Sequence, residues 1–134
     1  MPSVDINWLA IVVAAVVNMA AGFLWYSKGL FAKDWAKATG RKMEDMSGGG
    51  ADYAFTILGA LVQAWVLAHF VRYAGDDTFW QGLLTGFWIW LAFVAITMAT
   101  NYMFESRPWR LWQINTGYFL VVLLVNGGLL AAWR

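Results

Sequence analysis

The chain has 134 residues, 61% hydrophobic and 13% charged, whereas about 25% of residues are charged in an ordinary soluble domain. Ten tryptophans and so few charges leave more apolar surface than one soluble core of this length can bury, so the composition predicts a membrane protein. The net charge of +1, without a basic run, argues against nucleic-acid binding, and the lack of cysteine excludes disulfides, thiolate metal sites and dithiol redox chemistry.

Four windows without a charged residue predict four transmembrane helices. They hold 22, 19, 27 and 23 residues, at 6–27, 53–71, 78–104 and 111–133. Because about 20 apolar residues span a bilayer, with a range of about 17 to 25, we expect helices at about 6–26, 53–73, 79–104 and 113–133. We expect the first to be retained, since the leader MPSVD lacks the basic segment of a signal peptide. The predicted fold class is all-α: a four-helix transmembrane bundle in a single domain, 1–134.

Local signals indicate where these helices begin and end. Asp52 is suited to cap the second helix, and Gly75 is suited to end it. Thr78 followed by Gln81 is a capping box that predicts the start of the third helix. Pro108 lies where the third helix has stopped or the fourth begins.

The segment 27–52 is the only sizeable connection, and it carries a short amphipathic helix. In GLFAKDWAKATG, Phe31, Trp35 and Ala38 share one helical face, and the charged residues lie mostly away from it. This pattern predicts a helix lying flat on the membrane interface, followed by a polar tether with a flexible hinge at 48–50. The simplest interpretation is an anchor; a lid or partner-docking element is the alternative.

The distribution of lysine and arginine predicts the orientation. Segments 27–52 and 105–112 lie on one side and together carry seven basic residues, whereas the other side has only Arg72 and Arg134. Basic residues favour the cytoplasmic side of a membrane. We therefore expect a multi-pass protein of the bacterial inner (cytoplasmic) membrane, with 27–52 in the cytoplasm and both termini periplasmic.

Polar and small residues form stripes on the predicted helices, and we expect these stripes to face each other, because polar groups in lipid usually face protein. The stripes are Ala14, Asn18, Gly22 and Trp25 on the first helix; Ala60, Ala64 and Ala68 on the second; Thr97, Asn101 and Glu105 on the third; and Asn115, Tyr118, Val122 and Asn126 on the fourth.

A candidate polar pocket combines seven of the residues with polar or aromatic side chains: Asn18, Trp25, Tyr26, Asn101, Glu105, Asn115 and Tyr118. Two interpretations stay open. In the first, the asparagines hydrogen-bond between helices and Glu105 pairs with Arg107 or Arg110 at the surface. In the second, the set lines a pocket open to the cytoplasm that takes a small solute, an ion or a lipid head group.

No pattern of residues names a reaction. The chain has no Ser-His-Asp set, no phosphate-cradling glycine loop and no carboxylate pair at catalytic spacing. His69 is the only histidine, and we expect it to pack between Trp65 and Tyr73 and to bind neither metal nor haem. We therefore expect no catalytic residue, no metal and no cofactor.

Several segments resemble one known family. They are NWLA at 7–10, GFLWYSKGLF at 22–31, LAHF at 67–70 and NYMFESRPWRLWQINTGYF at 101–119. In this order they resemble DUF1761, small bacterial membrane proteins that are predicted to cross the membrane four times. The resemblance covers essentially the whole chain, and it implies the same topology without an activity. Lys28 stands where the resemblance implies a proline in many relatives.

The expected function is non-catalytic. We expect the protein to act through assembly, either as a homo-oligomer or as an accessory subunit of a larger membrane complex. Its other expected partner is the lipid bilayer, and we expect no nucleic-acid partner. The alternative is a transporter or channel component that uses the cytoplasm-facing pocket. A membrane enzyme with Glu105 as acid/base is the weakest hypothesis, because the sequence places no suitable partner group beside it.

Overall fold

The computed structural model, which describes residues 3–42 and 49–133, is all-α and confirms the predicted fold class. Four apolar stretches are long enough to cross a membrane, and a short helix lies between the first and second of them. In the described part of the chain the helices are α1 Trp8–Trp25, α2 Ala32–Thr39, α3 Gly50–Tyr73, α4 Phe79–Ile89, α5 Ile96–Phe104 and α6 Trp109–Ala132. A π-helical turn, Trp90–Ala95, joins α4 to α5 within the third span.

The predicted signals are found at the start of α4, at the end of α3 and at the start of α3. Thr78 and Gln81 make the capping box: the Gln81 N–H donates to Thr78 Oγ1, and Gln81 Oε1 accepts from the Thr78 N–H, both at 3.2 Å. Gly75 has a φ of 78°, the left-handed conformation that ends a helix and favours glycine. At the start of α3, Asp52 Oδ2 accepts from the Gly49 N–H at 3.1 Å.

The predicted tether between α2 and α3 is only partly described. Its residues 43–48 lie outside the described residues. Gly49 and Gly50, predicted as part of a hinge, are the N-cap and the first residue of α3. The Asp52 carboxylate accounts for this difference, because its bond to the cap backbone draws both glycines into the helix start.

The short helix α2 is attached to the N-terminal end of α6. Asp34 Oδ2 and Arg110 Nη2 lie 2.8 Å apart, and the Arg110 guanidinium lies 5.6 Å from the centre of the Phe31 ring. Phe31 in turn contacts Trp25, with ring centroids 4.6 Å apart. Both members of the ion pair are about half exposed. The aromatic contacts therefore contribute much of the attachment, since exposed ion pairs are worth about 0.2 to 1 kcal/mol.

Small residues let α1, α3 and α6 approach closely around one core. The predicted alanine ridge of α3 is buried, and its Ala64 and Ala68 pack with residues of α1 and α6. The core cluster consists of Ala10, Ile11, Ala14, Ala64, Leu67, Ala68, Val71, Leu130 and Ala131. Without a hydrophobic driving force inside lipid, this close packing is what holds the helices together.

The tightest contact is between α4 and α6, and it requires glycine. A Cβ added to Gly82 would lie 2.0 Å from the Gly127 carbonyl oxygen, and one added to Gly86 would lie 2.1 Å from the Leu123 carbonyl oxygen. The backbones of the two helices therefore touch directly. Gly82 and Gly86 are four residues apart, the small-xxx-small spacing that permits such approach.

The stripe of Thr97, Asn101 and Glu105 does not face the bundle, in contrast to the stripes on the other three spans. All three residues are exposed, and the neighbouring Tyr102 is buried in their place. The expectation that four stripes face each other is therefore corrected for the third span.

The π-helical turn explains this correction. In an uninterrupted α-helix, Thr97 would follow Gly86 by eleven residues, about three turns at 3.6 residues per turn. Thr97 and Asn101 would then share the face of Gly82 and Gly86 that contacts α6. A π-helical turn has more residues per turn than an α-helix. The turn at Trp90–Ala95 therefore rotates every later residue about the helix axis, and the polar stripe points outward.

Candidate functional site

A chain of hydrogen bonds joins three helices where α1 ends. The Tyr26 hydroxyl donates to Asn115 Oδ1 at 2.7 Å, and Asn115 Nδ2 donates to the Tyr102 hydroxyl oxygen at 3.0 Å. These bonds connect the C-cap of α1, the first half of α6 and the end of α5. The amide of Asn115 thus uses both its oxygen and its nitrogen within the protein.

A second chain lies nearer the middle of the spans. The Tyr118 hydroxyl donates to Asn18, contacting both its side-chain oxygen and, at 3.0 Å, its backbone carbonyl. Asn18 Nδ2 donates to Gln63 Oε1 at 3.1 Å. Asn18 is buried, and this chain joins α6, α1 and α3.

Three tryptophan side chains donate hydrogen bonds to backbone carbonyls where the first half of α6 contacts other helices. Trp25 Nε1 donates to the Ile114 carbonyl and Trp90 Nε1 to the Thr116 carbonyl, both at 2.8 Å. In the reverse direction, Trp112 on α6 donates to the Ala95 carbonyl in the π-helical turn, at 2.9 Å. Each indole therefore satisfies its only donor across a helix–helix contact, as buried tryptophan usually does.

Two predicted site residues lie away from both chains. Glu105 is exposed and forms an ion pair with Arg107, with Oε2 and Nε 2.8 Å apart. Asn101 is exposed, and its side chain makes no hydrogen bond with the described part of the protein. The structure brings together the other five candidates: Asn18, Trp25, Tyr26, Asn115 and Tyr118.

Two members of the chains were not predicted as site residues. Gln63 is a polar residue within the predicted second span, but its spacing along that helix does not show which other helix its side chain meets, so no sequence signal pointed to Asn18. Tyr102 is next to the predicted stripe residue Asn101, and only the rotation by the π-helical turn places it inside. A tyrosine in the last turn of a span was the available signal, because its hydroxyl needs a partner when it is buried.

An open groove of about 610 Å³ lies between α1, α2 and the start of α3. Tyr26 and Tyr118 line it, and their hydroxyls are bonded to asparagine. Its lining residues are Met19, Gly22, Phe23, Tyr26, Ser27, Lys28, Ala32, Trp35, Tyr53, Thr56 and Tyr118. Asn101 and Glu105 do not line this groove.

The arrangement is suited to holding helices together. Both chains consist of neutral amides and hydroxyls that bond to one another. Within residues 3–42 and 49–133, no group of three or more histidine or carboxylate side chains is placed to hold a metal ion. His69 packs against Trp65, with ring centroids 4.6 Å apart, and its Nδ1 lies 2.8 Å from the Trp65 carbonyl oxygen.

Comparison with known proteins gives one match. A model of the family described as "Protein of unknown function (DUF1761)" matches residues 9–131, nearly the whole chain. No curated protein and no solved structure matches the chain.

Proposed function

The chain belongs to the DUF1761 family, and we propose from its geometry that it is a non-catalytic membrane protein that acts by assembling with further copies of itself. The hydrogen-bond chains support a non-catalytic role, because most of their donors and acceptors are used for packing within the bundle. The transport alternative expects a cavity that reaches Asn101, and the groove next to Tyr26 and Tyr118 has a different lining. Assembly is therefore the better supported of the two functions.

The observation that carries the proposal is the side chain of Gln63. This residue lies near the middle of α3, and its side chain is exposed on the outside of the bundle. Its oxygen accepts from Asn18, but its Nε2 makes no hydrogen bond with the described residues. A polar donor that faces hydrocarbon without an acceptor is costly, so such groups usually face another protein surface. In the proposed assembly, a second copy of the chain supplies the acceptor for Gln63 Nε2.

The surface around Gln63 permits a second helix to approach. Gly59 lies one turn before Gln63, and a Cβ built there meets no atom within 4 Å. Val62 and Phe70, on the same side of α3, are 50% and 40% exposed. A glycine beside a polar residue is the pattern by which transmembrane helices associate.

A twofold-symmetric dimer is the simplest assembly. In such a contact the same patch is used on both copies, so Gln63 of each copy meets Gln63 of the other. Each Nε2 then donates to the other copy's Oε1, which has a second lone pair besides the one that accepts from Asn18. Interhelical bonds of this kind are worth about 0.6 kcal/mol on average and at most about 2, so packing around Gly59 supplies the rest.

The proposed setting follows from the charge distribution. The protein lies in the bacterial inner membrane, with 27–52 and the turn around Arg107 and Arg110 in the cytoplasm and both termini in the periplasm. A larger membrane complex could recruit the dimer as a subunit through the surfaces that the dimer contact leaves open. In either form the protein carries out no chemistry.

Native mass spectrometry of the protein in nanodiscs tests the proposal. We expect the wild-type protein to be dimeric, and Gly59→Leu to be monomeric, since this side chain fits the single copy but blocks a neighbouring helix. Gln63→Leu should weaken the dimer as well. Asn101→Leu, which removes another exposed amide, is the matched control and should stay dimeric. A monomeric wild type, or a Gly59→Leu variant that remains dimeric, would refute the assembly.

A further inference from the structure

We propose that the groove beside Tyr26 and Tyr118 is a binding site for one anionic glycerophospholipid. The site does not depend on the proposed dimer, because its lining comes from a single copy. Its volume of about 610 Å³ falls within the range of ligand pockets, about 300 to 1,000 Å³.

Polarity changes along the groove in the way a phospholipid requires. Met19 and Phe23 line it from within α1, six and two residues before the helix ends at Trp25. Ser27 and Lys28 line it just beyond that end. The apolar part of the groove is therefore inside the membrane span, and the polar part is at the membrane surface. An acyl chain fits the first, and a phosphate fits the second.

The tyrosine hydroxyls do not make the deep part of the groove polar. Tyr26 donates to Asn115 and Tyr118 donates to Asn18, so neither hydroxyl keeps a hydrogen to donate to a ligand in the groove. Together with Trp35 they form an aromatic wall. A small polar solute would find few free partners there, whereas an acyl chain needs none. This distribution favours an amphiphile as the occupant.

The positive charge of Lys28 at the groove favours a lipid with an anionic head group. Among the described residues that line the groove, Lys28 is the charged one, and it is exposed. Among the described residues no carboxylate forms an ion pair with it. The hydroxyls of Ser27 and Thr56, which also line the groove, donate to the backbone carbonyls of Leu24 and Asp52. An exposed ammonium that has no carboxylate partner among the described residues is complementary to the net negative charge of an anionic head group.

Native mass spectrometry in defined lipid tests this site. The protein is placed in nanodiscs that contain equal amounts of phosphatidylglycerol and phosphatidylcholine with identical acyl chains, and the lipid that stays bound after release is counted. We expect one phosphatidylglycerol per copy. One lysine near the surface contributes about 1 kcal/mol, so Lys28→Gln should reduce the preference for phosphatidylglycerol about five-fold.

Three further measurements make the result decisive. Lys33→Gln removes an exposed lysine of α2 that does not line the groove, and it should leave the preference unchanged. Met19→Trp fills the apolar part and should abolish retention of both lipids. Glycerol 3-phosphate, which has the phosphate without the chains, should not displace the lipid at millimolar concentration. Equal retention of the two lipids by the wild type, an equal effect of Lys33→Gln, or displacement by glycerol 3-phosphate would each overturn the proposal.

Discussion

Replacing Gly82 with alanine should separate α4 from α6, and the structure gives the size of the displacement. The added Cβ would lie 2.0 Å from the Gly127 carbonyl oxygen and 2.5 Å from the Ala131 Cβ, whereas ordinary contact begins at 3.4 Å. The difference between 3.4 and 2.0 Å means that one backbone must move by about 1.4 Å. A flexible side chain cannot absorb this movement, because the nearest atom belongs to the backbone of α6.

The expected cost follows from similar changes elsewhere. Overpacking a tight interior typically costs about 1 to 3 kcal/mol, and alanine returns at most about 1 kcal/mol through its higher helix propensity. Because the added atom meets backbone, the upper end of the overpacking range applies, and we expect the free energy of unfolding to fall by about 2 kcal/mol. Unfolding of the protein in mixed micelles, followed by circular dichroism as the fraction of denaturing detergent rises, measures this quantity.

Gly59→Ala is the matched control for this prediction. It makes the same chemical change within a transmembrane helix, but its Cβ meets no atom within 4 Å. Its free energy of unfolding, measured on the monomeric protein at high dilution in detergent, should stay the same or rise. If Gly82→Ala unfolds at the wild-type detergent fraction, or if both variants lose equal stability, the backbone contact is not what holds α4 to α6.

Three further results are expected. Tyr118→Phe removes a hydroxyl that bonds to α1 and should lower the free energy of unfolding by about 0.6 to 1.7 kcal/mol. Asp34→Asn removes the ion pair with Arg110 and should increase amide hydrogen exchange in α2, with a smaller difference from the wild type at high salt. In the proposed orientation Asp77 is periplasmic and Thr39 is cytoplasmic. In intact cells a membrane-impermeant maleimide should therefore label Asp77→Cys and leave Thr39→Cys unlabelled. The wild-type chain has no cysteine and gives no background labelling.

Each of these results can contradict its reasoning. Wild-type stability of Tyr118→Phe would mean that the Asn18 amide finds another donor. Unchanged exchange in α2 would assign its attachment to Phe31 and Trp25 alone. Labelling of Thr39→Cys from outside, with protection of Asp77→Cys, would reverse the proposed orientation.

The spans could be predicted from the sequence because lipid imposes a simple constraint on length and charge. The predicted third span, 79–104, coincides with Phe79–Phe104, and the others differ from the observed helices by at most four residues at either end. Those ends depend on single bonds, such as that of Asp52 to Gly49, which begins α3 three residues before its predicted start. The capping box at Thr78 was predictable because it involves only local residues.

The candidate site was predictable only in part, because pairing between helices depends on their rotation. Residue spacing placed Asn18 and Tyr118 on inward faces, where they meet. It placed Asn101 inward as well, because no sequence signal announces the π-helical turn at Trp90–Ala95. The small-xxx-small spacing of Gly82 and Gly86 was visible in the sequence and would have predicted the α4–α6 contact.

The three indole bonds around α6 limit how this protein can move. Trp25 and Trp90, from two different spans, donate to carbonyls of α6 that are only two residues apart. Trp112, in the same region of α6, donates to the Ala95 carbonyl. Rotation of α6 about its axis, or translation along it, would break all three indole hydrogen bonds at once. A conformational change that keeps these three bonds must therefore leave the fourth span in place and move the elements that surround it.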